Sequence, residues 1–166
     1  MALAVLLWAD DRGAGFLERE ALHACARELG EVVSHADRQM AGLAAYAQLD
    51  RLPAATPLRL RADLAAPVRE AAALGQRDLR TVREQCTGNP IFGWHPTTAR
   101  ARRAVLAYGG AATAYLARVG ADAGSRGELQ QREKARQAAA VRLREALGDD
   151  GATLLATGSA LQATRQ

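Results

Sequence analysis

Lysine is all but missing from this chain: Lys134 stands beside 21 arginines. Such a bias follows from GC-rich coding sequence, as in many bacteria, so arginine preference by itself carries no functional message. Aromatic residues are as scarce, at 4% of 166 positions, although 49% of the chain is apolar. That composition excludes a core built on large rings and requires close helix approach, with alanine supplying much of the buried surface. Cysteine occurs twice, at Cys25 and Cys86, with no metal-ligand spacing and no disulfide framework. A reducing, cytoplasmic setting is therefore expected. No apolar run reaches the ~20 residues of a membrane span. The opening stretch from Ala2 to Ala9 lacks the positive start and small-residue cleavage site of a secretory signal, and reads as a short helix. Internal repeats, strand-period segments and a phosphate-binding glycine loop are also missing, and no motif is specific enough to mark a family.

What is present is helical periodicity. The length suits one domain with a single core, and the expected fold is an all-α bundle of five or six helices. From about Phe16 to Asp50, the residues Leu22, Cys25, Ala26, Leu29, Val32, Val33, Ala36, Met40, Leu43, Ala44 and Ala47 share one stripe. The stripe keeps its phase across Gly30 and Gly42, which predicts one long helix of about 35 residues over 16–50, roughly 50 Å at the usual rise. That exceeds a compact domain of this size, so the helix is expected to bend or to overhang into a partner. Pro53, Pro57 and Pro67 mark 51–66 as a linker, with Pro67 at the first position of a helix over 67–87. Gly88 is placed as its left-handed cap. A loop over 88–96 follows. The next helix, 98–119, is capped by Thr97 or Thr98 and carries an apolar face and an opposite small face, the mark of a central helix. Ser125 and Glu128 form a capping box at the start of a helix over 126–147. A short helix over 150–162 closes the chain, as one over 2–10 opens it.

Charge is uneven. Residues 1–96 hold 11 arginines against 12 acids, whereas 97–166 hold 11 basic residues against 6 acids. The basic C-terminal half hints at an anionic partner.

The rare residue types gather in "CTGNPIFGWHP", Cys86 to Pro96. Cys86, like Cys25, lies on an apolar stripe and is read as packing. At a helix C-terminus the dipole opposes a thiolate, so Cys86 is a poor nucleophile. His23 and His35 lie off the stripe with no ligand spacing around them and are read as exposed. His95 differs, because burial or a nearby helix start keeps an imidazole neutral, as a general base requires. Arg100, Arg102 and Arg103 sit in the first turns after the loop, against the helix dipole. That placement makes sense where an acid from elsewhere, or an anionic ligand, meets the same helix start. Arg132 and Arg136 lie on the apolar side of their helix; a surface pair of Arg132 with Glu128 is the simpler account, two guanidiniums in a cleft the sharper one.

These residues support a leading reading and its rivals. The first is a non-catalytic binding or partner module, such as an accessory protein of bacterial metabolism. Its ligand is small and partly apolar or anionic, held by Asn89, Phe92, Trp94, His95, Arg103, Tyr108 and Tyr115, with Ile91 in the wall. The second is a small cofactor-independent enzyme in which His95 moves a proton and Tyr108 or Arg103 stabilises developing charge. A third uses the long helix for homodimerisation, and a fourth binds nucleic acid through the basic half, although the helix after the loop is too small and apolar to leave the core. No metal, cofactor or membrane role is expected.

Overall fold

The computed structural model describes residues 15–89, 91–93, 96–121 and 126–148. Among them the chain is all-helical, with four α-helices: α1 (Phe16–Tyr46), α2 (Leu58–Gly88), α3 (Ala99–Gly120) and α4 (Arg126–Leu147). Short 3-10 turns, Leu49–Arg51 and Pro96–Thr98, precede α2 and α3. The expected helices over 2–10 and 150–162, and Ser125 of the capping box, lie outside the described residues. None of the described helices is long and apolar enough to cross a membrane.

α1 is continuous across Gly30 and Gly42, but at 31 residues it is shorter than expected. Its apolar stripe continues past Tyr46, yet Gln48 adopts a left-handed backbone, φ 49°, and turns the chain. Local backbone reversal ends the helix before the pattern does.

α2 corrects the expected linker. It begins at Leu58 with Pro57 at its N-cap, so Pro67 lies inside it and not at its start. The segment "LRLRADLAA" consists almost wholly of strong helix formers, and their propensity outweighs one interior proline, which costs roughly 3 kcal/mol. The Arg69 guanidinium donates to the Ala62 carbonyl at 2.6 Å, one residue before the Asp63 carbonyl that Pro67 cannot serve. Gly88 is the last helical residue and has no left-handed backbone; Asn89 is the extended cap, and the left-handed glycine of the loop is Gly93, φ 98°. At the start of α3 Thr98 holds the N-cap position without a side-chain capping bond.

The helices run up, down, up and down. Leu22, Leu29, Leu79, Val105 and Leu116 are the largest fully enclosed apolar side chains, and alanines fill the spaces between them. Close approach is visible at Gly75, where an added Cβ would stand 2.7 Å from the Ala36 Cβ and 3.2 Å from Leu116 Cδ1. α3 packs on α2 along one side and α4 along the other, as a central helix with two small or apolar faces must.

The cysteines overturn the sequence expectation. Cys25 and Cys86 form a disulfide between α1 and α2, with Cα atoms 5.8 Å apart. The two are separated by 61 positions, which carries no spacing signal; the antiparallel pairing of the helices brings the two apolar stripes, and so the two thiols, face to face. Both cysteines are buried.

Candidate functional site

The loop that gathered the rare residues is docked, as far as it is described. Asn89 Oδ1 accepts the Ile91 N–H at 3.0 Å, and the Asn89 carbonyl accepts the Phe92 N–H at 2.9 Å. Asn89 therefore spends its carboxamide oxygen on shaping the turn. Phe92 packs against the core and Ile91 is half-buried. Trp94 and His95 lie outside the described residues.

What pins the loop is a residue the sequence reading passed over. Glu18, on the first turn of α1, is fully enclosed. Its Oε1 accepts the Gly93 N–H at 2.7 Å and an Arg102 N–H at 2.9 Å. Arg102 thus finds the acid expected to approach the start of this helix, supplied by α1. Neighbouring Arg103 is exposed. A signal for Glu18 existed: it lies four residues before Leu22, on the apolar stripe itself, where a carboxylate must find a partner.

Tyr108 and Tyr115 belong to a different centre. Arg136 of α4 donates to Asp37 of α1 at 2.6 Å, and to Glu133 at 2.8 and 2.9 Å through Nε and NH2. Its guanidinium carbon lies 4.6 Å from the centre of the Tyr115 ring, a cation–π arrangement. Burial opposes the charge on Arg136, but the hydrogen bonds to Glu133 and the charges of Asp37 and Glu133 outweigh it and hold the group above its ordinary range. Tyr108 is buried beside this cluster. Burial, chiefly, pushes its phenol up to about 12, with Arg136 acting against the rise and Asp37 and Glu133 adding to it.

The seven ligand-binding candidates are therefore not gathered in one described pocket. Glu18 and Asp37 anchor the two centres at positions on α1 about 28 Å apart at the helix rise. Asn89 and Phe92 shape the loop, Arg103 faces solvent, and Tyr115 lies under Arg136. The surface pair of Arg132 with Glu128 is also replaced: Glu128 reaches Arg118 Nε on α3 at 3.2 Å, and Arg132 is exposed.

No protein-family model, curated protein or solved structure matches the chain at a significant level.

Proposed function

We propose that the chain is a non-catalytic helical module that pairs with a second copy of itself through the projecting end of α1 and α2. The observation that carries this reading is an overhang with exposed apolar side chains. Gly120 ends α3 beside Arg69 and Ala73 of α2. Beyond that level Met40 is the last buried residue of α1 and Ala71 the first of α2. Val68 still packs against the core, and the start of α2 runs roughly 15 Å past it. At this end Tyr46 is 90% and Leu58 84% exposed, and Leu60 is 49% exposed.

A helix in a protein is held mainly by the packing of its apolar face, so an uncovered helix pair calls for a partner. Two such pairs laid side by side form a four-helix bundle with two-fold symmetry. The overhang carries Asp50, Arg51, Arg59, Arg61 and Asp63; mixed signs of this kind let two copies meet without repulsion.

The non-catalytic reading is supported by the closure of both buried polar centres on their own counter-charges. Tyr108 is 6% exposed and Arg136 is shared between two carboxylates, so neither is open to a substrate. The enclosed disulfide supports an oxidising compartment in place of the cytoplasm.

Sedimentation across a range of concentrations tests the pairing. A dimer that dissociates in Tyr46→Ser/Leu58→Ser, with helical content retained, supports it; a wild-type monomer at every concentration removes it.

A further inference from the structure

A shallow groove on the outer face of α2 is lined by Arg80, Arg83, Glu84 and Thr87 and has a volume of about 190 Å³. We infer that this groove is a binding site for a small hydroxylated anion, of the class of a phosphomonoester of a short polyol. The proposal stands apart from the pairing of two copies, because the groove lies toward the opposite end of α2 from Leu58.

Three observations converge there. First, the arginines lack partners: among the described residues neither the Arg80 nor the Arg83 guanidinium takes part in a hydrogen bond or an ion pair, and Arg83 Nε is enclosed with its N–H unsatisfied. The terminal nitrogens of the two guanidiniums are therefore not committed to any described protein acceptor. Arg102 and Arg136, by comparison, meet carboxylates at 2.9 and 2.6 Å, whereas Arg61 and Arg118 share with Arg83 an enclosed Nε that has no hydrogen bond.

Second, Arg83 is positioned. Its stem lies flat across α3 at Gly109, with Cδ 3.0 Å and Cγ 3.1 Å from where a Cβ would be. A glycine there lets the side chain cross the neighbouring helix and keeps its planar fork from ranging freely. A guanidinium fixed in this way matches the oxygens of a phosphate or carboxylate, and Arg80, one turn away, adds a second charge.

Third, the other groups select. The Thr87 hydroxyl donates to the carbonyls of Arg83 at 3.0 Å and Glu84 at 3.2 Å, so its proton is engaged. Donors to an anion must then be the arginines. The Glu84 carboxylate repels a bare anion but accepts a hydrogen bond from a ligand hydroxyl. The volume is below the ~300 Å³ at which drug-sized pockets begin, which restricts the ligand to a few carbons.

Amide-resolved titration at low ionic strength tests the site, with inorganic phosphate and glycerol phosphate as probes. Glycerol phosphate is expected to shift the amides of residues 80–87 saturably and to bind several-fold tighter than inorganic phosphate. Arg83→Gln and the exposed-site change Arg80→Gln are each expected to weaken it about tenfold or more. Gly109→Ala, which displaces the Arg83 stem without touching charge, is expected to weaken it as well. Glu84→Ala, which removes the acceptor, is expected to abolish the preference for glycerol phosphate. Shifts that never saturate, or binding unchanged in Arg80→Gln and in a folded Arg83→Gln, overturn the site. Equal binding of the two probes by the wild type overturns the assignment of a hydroxylated ligand.

Discussion

Glu18 and Arg102 meet at 2.9 Å across 84 positions of sequence, and the two are buried unequally: the carboxylate side chain is 0% exposed and the guanidinium 25%. That asymmetry sets the order of two substitutions. Arg102→Met takes a counter-charge from an enclosed carboxylate and is expected to cost about 3 kcal/mol or more. Glu18→Met leaves a guanidinium that can turn to water, and its cost is expected to be smaller. Urea unfolding of both variants checks the order, and the reverse ranking would mean that Glu18 is not the buried partner.

The disulfide gives a second expectation. It closes a loop of 61 positions, for which the chain-entropy model gives about 4 kcal/mol of stabilisation. Cys25→Ala/Cys86→Ala, or the wild type kept under a strong dithiol, is expected to lose most of that. Alanine is preferred to serine because both sites are buried. Mass spectrometry after alkylation reports whether the bond is formed in protein taken directly from cells.

Tyr108 links stability to alkaline pH. Its phenol ionises near 10 in an unfolded chain and near 12 in this one. Between those values the unfolded chain has lost the proton that the folded one still holds, so raising the pH favours unfolding. The contribution is complete below pH 10 and gone above 12, and amounts to about 2–3 kcal/mol. Tyr108→Phe is expected to flatten this part of the stability profile, as followed by urea unfolding on either side of the window.

Glycine substitutions separate packing from propensity. Gly75→Ala places a methyl group 2.7 Å from the Ala36 Cβ, and the overpacking, about 1–3 kcal/mol, is expected to exceed the helix-propensity gain. Gly42 and Gly110 have nothing within 4 Å of an added Cβ, so alanine at either is expected to stabilise by up to about 1 kcal/mol. Thermal unfolding reads the opposite signs directly. A Gly75→Ala variant as stable as the wild type would show that the two helices can spread.

Periodicity made much of the bundle legible. The α1 stripe named seven of the residues that are buried there, from Leu22 to Met40, and the small second face of α3 marked it as central. Local signals misled where a stronger competitor acted on the same backbone. Proline outweighed "LRLRADLAA" in the reading of 51–66, and propensity won in the fold. The disulfide was illegible because no local pattern encodes the pairing of positions so far apart. Arg136 is out of place on an apolar side, yet its partner Asp37 sits on another helix, and only packing brings them together. The loop drew attention through rare residue types, whereas the residue that holds it down, Glu18, is a common one in an uncommon place.

Arg136 also bears on the order in which the bundle comes apart. α4 rests mainly on α3, through Ala139, Ala140, Leu143 and Leu147, and its ion pair with Asp37 ties it to α1. Alanines bury little area, so α4 is held more weakly than the two helices bolted by the disulfide. Its amide protons are therefore expected to exchange with solvent through a separate, lower-energy opening, before those of α1 and α2. In that opened form three helices stay assembled and the Tyr115 side of α3 is bare, so the protein would carry a transient second apolar surface.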